Sequence, residues 1–265
     1  MTAENPKGSS VLITGASSGI GADLARVFAR ERRDLVLVAR SRERLEALAR
    51  ELEQTHGVRA RVLVRDLTSP GAAGTILSAL QTENVAVDTL VNDAGFGMRG
   101  SFVELDAGRQ SEMIQVNVVA LTELCRLFAT GMVQRGSGRI LNVASTAAFQ
   151  PGPMMAVYCA TKAYVVSFSE ALTNELRGTG VTVTCLCPGP TQTRFADAAG
   201  VSGTRLFRSA APMHSMAVAE AGHKALERGA DLLVPGLRNR LLAASVRLVP
   251  TRTAAGMARQ LLEVS

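Results

Sequence analysis

The sequence lacks tryptophan entirely and is poor in tyrosine and lysine. Its 265 residues include two tyrosines, Tyr158 and Tyr164, and three lysines, Lys7, Lys162 and Lys224. Nearly all of the 29 basic residues are therefore arginines, and these are interspersed with acids. Aromatic residues make up 4% of the chain, so few side chains could stack on bases. Despite the net charge of +6, the sequence argues against a nucleic-acid partner.

Cysteine pairs and long apolar runs are scarce as well. The four cysteines, Cys125, Cys159, Cys185 and Cys187, form no Cys-x-x-Cys pair and lie far from the histidines, which argues against disulfides and a metal site. Cys185 and Cys187 alternate along a predicted strand, where thiols pack as small hydrophobic groups. No run reaches the roughly 18 to 20 apolar residues of a membrane span, and residues 1–10 are polar. We expect a cytoplasmic protein.

The chain does contain a regular alternation of short β-branched runs and longer stretches of helical period. The runs predict strands at residues 11–14, 35–39, 60–64, 89–92, 139–144, 181–187 and 231–234. Helices are expected to begin near Ile20, Arg42, Gly71, Ala107, Met154 and Val218. Because several strands are apolar on both faces, the pattern predicts an α/β fold. The predicted architecture is a doubly wound, mostly seven-stranded parallel sheet of Rossmann type, with helices on both faces.

The same pattern bears on domain organisation. Neither a linker nor an internal repeat is visible, so residues 1–265 are predicted to form a single domain. Residues 191–217 mix small, polar and apolar types over a length that suits a lid or substrate loop. Residues 237–265 are typical of an amphipathic helical tail. We expect this tail to pack on its own domain or a second subunit, with contact to a membrane surface as the alternative.

A glycine-rich loop follows the first predicted strand and leads directly into a helix. Glycines allow backbone amides to approach a pyrophosphate, whose charge a helix N-terminus attracts. The spacing is Gly-x-x-x-Gly-x-Gly instead of the commoner Gly-x-Gly-x-x-Gly, but its position favours a dinucleotide-binding loop over a simple tight turn. The predicted contacts are Gly15, Ser17, Ser18, Gly19, Ile20 and Gly21.

The position that usually selects the adenosine ribose carries an arginine. About 20 residues after the glycines, where a carboxylate would bind the ribose 2′-hydroxyl, the sequence has Arg40, followed by Arg42 and Arg44. A guanidinium suits a 2′-phosphate, so we predict NADP in preference to NAD, the alternative being an ordinary solvated arginine. Asp66 and Leu67 end the third strand and are predicted to meet the adenine, unless Asp66 only caps the next helix.

Tyr158 and Lys162 form the most informative pair in the sequence. They lie four residues apart and share a helical face, whereas Tyr164 points elsewhere. A compact ammonium can contact both a phenol and a ribose hydroxyl. Together with the positive nicotinamide of an oxidised cofactor, this ammonium is expected to lower the phenol pKa from ~10 toward neutrality. The pair therefore predicts a proton-exchanging tyrosine; an exposed helical contact is the alternative.

Taken together, these motifs resemble the short-chain dehydrogenase/reductase family in its compact single-domain form, from about Val11 to Ala196. The resemblance covers the glycine loop, Asn92-Asp93-Ala94-Gly95, Tyr158-x-x-x-Lys162 and Pro188-Gly189-Pro190-Thr191-x-Thr193. It implies catalytic roles for Asn117, Ser145, Tyr158 and Lys162. It also implies cofactor contacts from Asn92, Ala94, Gly95, Tyr158, Lys162, Pro188, Gly189, Thr191 and Thr193.

Two positions depart from the family pattern. Asp93 replaces the second asparagine of the usual Asn-Asn-Ala-Gly, which is tolerable if that residue acts through its backbone. Ser18 stands where some NADP-preferring members have a basic residue, so the cofactor preference rests on Arg40.

The resemblance implies reversible hydride transfer between a nicotinamide and a carbonyl or secondary alcohol. Tyr158 would exchange the proton, Ser145 would donate to the carbonyl oxygen, and Asn117 would support a water that relays protons to Lys162. The expected substrate is a lipophilic ketone, aldehyde or 3-oxoacyl compound. Substrate contacts are predicted for Phe96, Ser145, Phe149, Met154, Met155 and Tyr158.

Alternatives to this function stay open. One is an NAD-linked alcohol dehydrogenase, and another is a non-catalytic dinucleotide sensor, which would not need Ser145, Tyr158 and Lys162. Members of the family are commonly dimers or tetramers, so a homo-oligomer through the helices carrying Asn117 and Tyr158 is expected.

Overall fold

The computed structural model of the chain describes residues 9–209 and 212–263. Residues 1–8, 210–211 and 264–265, which include most of the polar start and small parts of the predicted loop and tail, lie outside the described residues. The strands are β1 (Ser9–Thr14), β2 (Asp34–Ala39), β3 (Ala60–Val64), β4 (Ala86–Asn92), β5 (Gly138–Val143), β6 (Val181–Leu186), β7 (Thr191–Gln192), β8 (Met213–His214) and β9 (Leu232–Leu233).

Helices connect these strands. They are α1 (Gly19–Arg30), α2 (Arg42–His56), α3 (Ala72–Thr82), α4 (Ala107–Ile114), α5 (Leu121–Arg135), α6 (Ala156–Glu175), α7 (Arg194–Ala198), α8 (Arg205–Ser209), α9 (Ser215–Glu227), α10 (Leu237–Ser245) and α11 (Thr251–Leu262). Gln115–Ala120 forms a π-helical stretch, and Thr146–Phe149 and Val246–Leu248 are 3₁₀ turns.

Within the described residues the main sheet has seven parallel strands in the order β3-β2-β1-β4-β5-β6-β9. Side chains of α1, α2 and α9 pack on one face of the sheet, and those of α3, α5 and α6 pack on the other. The predicted doubly wound, Rossmann-type α/β fold is confirmed.

Strand β2 shows why the sequence folds this way. Leu35 and Leu37 lie in the core beneath α1 and α2, while Val36 and Val38 lie in the opposite core. All four side chains are fully buried. A strand that is apolar on both faces is stable only with helices on both sides, and each buried side chain contributes about 1.5–3 kcal/mol.

Several predicted boundaries were wrong by a few residues. β4 begins three residues earlier than predicted, at Ala86, and the last strand contracts to Leu232–Leu233. α6 begins at Ala156 and not at Met154, because Met154 has a positive φ of 69°, which is incompatible with a right-handed helix. α9 begins at Ser215, earlier than the predicted Val218.

The segment 191–217 is more ordered than the loop that the sequence predicted. It contains β7, α7, α8 and β8, and β7 pairs with β8 in parallel to form a separate small sheet. Elements of two to five residues are too short to show a hydrophobic period, so the pattern of residues could not reveal them.

The predicted helical tail is present as two helices, α10 and α11, separated by a 3₁₀ turn and Pro250. The second helix packs against α8 through Ala254, Ala258 and Leu262, which are buried. The tail therefore packs partly on its own domain.

The longest helical segment, Ala107–Arg135, joins α4, the π-helical stretch and α5 over 29 residues. Its length and apolar composition would also suit a membrane span, but half of its most apolar stretch is buried inside the structure. Its buried apolar side chains from Val116 to Met132 belong to the core beneath the sheet, which is the environment of a core helix.

Candidate active site

A cleft of about 710 Å³ opens along the carboxyl ends of the strands of the main sheet. In open parallel sheets this edge is the usual place for a ligand. Most of the predicted cofactor residues line it: Gly15, Ser17, Ser18, Gly19, Ile20, Arg40, Asp66, Leu67, Ala94, Gly95, Tyr158, Lys162, Pro188, Gly189, Thr191 and Thr193. Among the described residues, no three His, Cys, Asp or Glu side chains group as metal ligands.

The glycine loop occupies one end of this cleft, where its backbone lies too close to neighbouring backbone to leave room for side chains. Gly15 has φ +73°, and a Cβ at this position would lie 2.8 Å from the backbone nitrogen of Ala94. Gly19, with φ +60°, begins α1 at the floor of the cleft. An L side chain would strain either position, whereas glycine leaves the first amides of α1 accessible to an anion.

Arginines line the neighbouring end of the cleft. Arg40 follows β2, and Arg44 and Arg65 lie beside it on the cleft wall. Arg42 is different, because its guanidinium bonds to Glu46 at 3.4 Å and lies outside the lining. The sequence therefore indicated that Arg40, at the end of β2, faces the cleft, whereas no motif indicated Arg65.

Asp66 lies between these arginines and the turn that follows β3. Its carboxylate accepts hydrogen bonds from the backbone N–H and the hydroxyl of Thr68, at 3.0 and 2.9 Å. Burial alone would raise the pKa of Asp66, but these bonds and the positive charge of Arg40 lower it below its usual value. Asp66 is thus ionised, lines the cleft and closes the turn after β3. It does not cap the next helix, whose N-cap is Gly71, and its contact with the adenine stays a prediction.

Tyr158 and Lys162 lie on the same face of α6, in the middle of the cleft. The Lys162 ammonium is 5.9 Å from the centroid of the Tyr158 ring. It donates a 2.8 Å hydrogen bond to the backbone oxygen of Val143, at the end of β5. A backbone carbonyl fixes the lysine beside the phenol without neutralising its charge.

The predicted low pKa of Tyr158 is not present in the chain alone. Burial raises the pKa of the Tyr158 phenol above its usual value, and a hydrogen bond with Ser145 opposes this only in part. Burial also lowers the pKa of Lys162, against the opposing charge of Asp93. The prediction counted the ammonium but not the cost of placing a phenolate in a buried site.

Ser145 lies between β5 and the 3₁₀ turn at Thr146–Phe149. Its hydroxyl oxygen caps that turn by accepting from the backbone N–H of Ala147 at 3.1 Å, and it approaches the Pro188 oxygen at 3.5 Å. The residue lines the cleft beside Tyr158. The hydroxyl groups of Ser145 and Tyr158 therefore lie next to each other in the cleft.

Asn117 is buried behind the cleft wall, and its role in supporting a water that relays protons to Lys162 stays a prediction. Its amide nitrogen donates to the Phe96 oxygen and to the Thr161 hydroxyl, both at 3.0 Å, and its oxygen accepts from the Phe96 N–H at 3.2 Å. It belongs to the π-helical stretch, a feature that is frequent at functional sites. In this structure Asn117 is a positioning residue that joins the loop after β4 to α6.

Asn92 and Gly21 also act from below the cleft. The Asn92 side chain is buried and donates to the Asn142 oxygen at 2.9 Å and to the Cys125 sulfur at 3.3 Å. The sequence predicted it as a cofactor contact, but it ties β4 to its neighbours inside the sheet. Gly21 lies in the first turn of α1, and its amide donates to Asp93 instead of facing the cleft.

Two of the predicted substrate contacts lie elsewhere. Phe149 packs against the core that contains α5 and α6. Met154, because of its positive φ, faces a small separate cavity with Met98 and Met113. Of the predicted substrate residues, the cleft is lined by Phe96, Ser145, Met155 and Tyr158.

Asp93 is a site residue whose charge the sequence reasoning set aside. Its carboxylate lies beneath the glycine loop and accepts a hydrogen bond from the backbone N–H of Gly21, in the first turn of α1. The N-cap of that helix, Ser18, makes no side-chain capping bond in the described structure. Burial raises the pKa of Asp93 to about 7, although Lys162 and the Gly21 bond oppose the rise. The Asp93 side chain therefore contributes to the site through its bond to Gly21 and its charge, in addition to its backbone.

The far end of the cleft is apolar. Phe195 packs its ring 5.3 Å from that of Tyr158, and Leu206, Phe207 and Leu262 extend the wall from α8 and α11. Gly97 must be small, because a Cβ there would lie 2.9 Å from Phe195. The segment after β7 and the tail thus meet over Tyr158.

Comparisons with known proteins agree with this geometry. The family model described as short chain dehydrogenase matches residues 9–201. Ketoacyl reductase HetN of Nostoc sp. is 34% identical over 182 residues, which are 69% of this chain and 63% of HetN. The chain therefore matches less than two thirds of that relative's length.

Solved structures extend the match to nearly the whole chain. A short-chain dehydrogenase from Sphingobium yanoikuyae in complex with NADPH is 35% identical, with a TM-score of 0.79 over 90% of this chain and 94% of that one. The bulky-bulky ketone specific alcohol dehydrogenase from Comamonas testosteroni is 31% identical, with a TM-score of 0.76 over 91% and 93%. The chain belongs to the short-chain dehydrogenase family of oxidoreductases, which act on carbonyl and alcohol groups with NAD(P).

Proposed function

We propose that this protein is an NADPH-dependent reductase of bulky, lipophilic ketones, aldehydes or 3-oxoacyl compounds. The observation that carries the proposal is the polarity of the cleft: an arginine-lined end and an apolar end meet at Tyr158 and Ser145. Such a cleft offers separate sites for a phosphorylated nucleotide and an uncharged carbonyl compound.

The preference for NADPH rests on Arg40, Arg44 and Arg65. The adenosine 2′-phosphate is the group that distinguishes NADP from NAD, and guanidinium groups bind phosphates with paired, charge-assisted hydrogen bonds. An arginine in place of the usual carboxylate also removes the partner of the free ribose 2′-hydroxyl of NAD. A relative of this chain was solved with NADPH bound.

The chemistry assigns separate roles to the residues at the centre of the cleft. When bound, the nicotinamide supplies the hydride that a carbonyl carbon accepts. The Tyr158 hydroxyl donates its proton to the carbonyl oxygen, and Ser145 donates a hydrogen bond to that oxygen as negative charge develops. Because burial raises the pKa of Tyr158, the phenol is protonated at neutral pH, which is the form that reduction requires.

Lys162 acts from the other side of the phenol. Its ammonium is fixed by the Val143 oxygen and stabilises the phenolate that remains after proton donation. It also lies within reach of a ribose hydroxyl at the loop containing Gly95, whose Cβ would lie 3.5 Å from the ammonium. Asn117 holds this loop against α6, so we assign it a positioning role.

The lipophilic preference rests on Phe195, Leu206, Phe207 and Leu262, which surround the side of the cleft where a carbonyl substrate would lie. Apolar walls favour hydrocarbon groups and leave charged or heavily hydroxylated molecules without partners. The names of two relatives, a ketoacyl reductase and a bulky-ketone dehydrogenase, describe substrates of this class.

The test is NADPH oxidation across a panel of carbonyl compounds that differ in size and polarity, repeated with NADH. We expect turnover of bulky ketones, aldehydes or 3-oxoacyl thioesters, and a lower Kd for NADPH than for NADH. Activity confined to small sugars, or a preference for NADH, would contradict the proposal. Nucleotide binding without turnover of any carbonyl or alcohol would indicate a dinucleotide sensor instead.

We also propose that the protein forms a homo-oligomer through the helical surface that carries Ile114, Val133 and Tyr164. These side chains are partly exposed on α4, α5 and α6. Size-exclusion chromatography with light scattering should show a dimer or tetramer. A monomer at micromolar concentration would contradict this assignment, while the cytoplasmic localisation stays a prediction.

A further inference from the structure

Helix α10 and the 3₁₀ turn after it present an unusually apolar surface to solvent. Leu237, Leu241, Leu242 and Leu248 are 72%, 61%, 56% and 88% exposed. Leu237 and Leu241 lie one helical turn apart, on the same side of α10. Single exposed leucines are common, but four within twelve residues form a patch that requires a partner.

The other side of α10 explains why these leucines cannot turn inward. Asn239 donates to the Pro235 oxygen at 2.9 Å and lies against Gly189, where a Cβ would be 2.5 Å from its amide nitrogen. Ala243, one turn later, is buried. The helix is thus docked by its small and polar side, and its leucines are held outward.

The charge around this patch is of one sign. Between Asp231 and Glu263 the sequence contains no acid, but five arginines: Arg238, Arg240, Arg247, Arg252 and Arg259. Arg259 is offset by Glu263 at 4.0 Å, whereas Arg240, on α10, and Arg252, four residues after Leu248, are exposed. We call Leu237, Arg240, Leu241, Leu242, Leu248 and Arg252 the tail surface.

The charge decides between the possible partners of the tail surface. In a symmetric dimer the same patch faces its own copy, so two surfaces with the same positive charge would be brought together. An anionic lipid surface offers phosphates to the arginines and an apolar layer to the leucines. We propose that the tail surface docks this protein on anionic phospholipid membranes.

The position of the tail adds a functional consequence. α11 leads from the tail surface to the apolar wall of the cleft, and its last carbonyl, on Leu262, accepts from Arg99 at 3.3 Å. The tail therefore contributes both the exposed leucines and part of the apolar wall of the cleft. The docking itself does not depend on the proposed reaction.

Vesicle co-sedimentation of the full chain tests the proposal. The probes are phosphatidylcholine vesicles with and without phosphatidylglycerol, at low and high salt. Wild type should sediment with the anionic vesicles, weakly with the neutral ones, and less at high salt. The double variant R240Q/R252Q should bind anionic vesicles at least about tenfold more weakly, since each arginine contributes about fivefold. The double variant L241S/L242S should also bind anionic vesicles at least about tenfold more weakly, because it removes two apolar side chains from the surface.

Matched controls use residues remote from the tail. Val103 is 85% exposed and Arg50 is also exposed, so V103S and R50Q remove an apolar and a basic group of the same kinds. Both should bind like wild type, and all variants should keep the wild-type melting temperature and activity on soluble substrates.

Four results would overturn the proposal. Wild type could fail to sediment with anionic vesicles, either double variant could bind like wild type, or the controls could lose as much affinity as the double variants. The fourth is self-association in the absence of lipid that L241S/L242S abolishes, together with no vesicle binding, which would show that a second copy covers the leucines.

Discussion

The two ends of the cleft are built on different principles. At the nucleotide end, main-chain geometry leaves one acceptable residue type, as at Gly15, where any Cβ would meet the backbone of Ala94. At the carbonyl end, Phe195, Leu206 and Phe207 form a wall in which one apolar side chain could replace another. The first end can therefore be recognised from a motif, whereas the second is defined only once the chain is folded.

The largest effect that separates the two ends is expected from Gly15→Ala. The new Cβ would displace the loop after β4 at 2.8 Å and force a side chain into a φ of +73°. A displacement of this size misplaces the binding amides, so NADPH affinity should fall by at least about 100-fold in isothermal titration calorimetry.

Gly71→Ala is the matched control, because Gly71 has φ +76° but nothing within 4 Å of its would-be Cβ. This variant should lose about 1–2 kcal/mol of stability from backbone strain alone and keep its NADPH affinity. Equal losses of affinity in both variants would contradict the role assigned to the close approach at Gly15.

A second prediction sharpens the cofactor preference. The variant Arg40→Ala should bind NADPH about 10- to 100-fold more weakly, because one charge-assisted hydrogen bond to phosphate contributes roughly 1.5–3 kcal/mol. NADH binding should change by less than about threefold, since NADH has no 2′-phosphate. Arg42→Ala, which breaks only the pair with Glu46, should leave both affinities unchanged.

The pH dependence of stability distinguishes Asp93 from an asparagine. Folding raises the pKa of this carboxyl from 3.8 to about 7, so the native state binds more protons than the unfolded chain between these values. Stability relative to an uncharged side chain therefore falls as the pH rises through this interval and is lowest above it.

Asp93→Asn keeps an acceptor for the Gly21 amide and removes the titration. Denaturant unfolding at pH 5 and pH 8 should show that the variant gains at least about 1 kcal/mol relative to wild type at the higher pH. An equal difference at both pH values would mean that the carboxyl does not titrate in this interval.

The smallest effect is expected at the apolar end. Leu206→Ala should raise KM for bulky ketones by about five- to tenfold, because Leu206 is only partly buried and its truncation should cost about 1 kcal/mol, the low end for an apolar pocket. kcat and NADPH affinity should stay near wild type, as they should for the exposed control Val103→Ala. A larger loss of affinity for NADPH than for the ketone would contradict the placement of Leu206 at the apolar end of the cleft.

The contrast between the two ends also explains what the sequence could predict. The fold followed from strands such as Leu35–Val38, whose apolar residues occupy both faces, and the nucleotide loop followed from glycines placed between a strand and a helix. Tyr158 and Lys162 were found because helical spacing alone puts them on one face.

Other features required coordinates. Asn92 was predicted as a cofactor contact, but only the fold shows that its amide bonds to Asn142 inside the sheet. Met154 was misplaced because a positive φ leaves no trace in an apolar pattern. The sequence also could not show that burial raises the pKa of Tyr158 by more than the Ser145 hydrogen bond lowers it.

Single-turnover hydride transfer in Tyr158→Phe tests the central claim most directly, with Tyr164→Phe as the matched control on the exposed side of α6. NADPH oxidation by a carbonyl substrate is followed by absorbance, and NADPH binding is measured separately. We predict that Tyr158→Phe binds NADPH like wild type but transfers hydride at least about 100-fold more slowly, while Tyr164→Phe retains the wild-type rate. A near wild-type rate in Tyr158→Phe would contradict the assignment of this phenol as the proton donor.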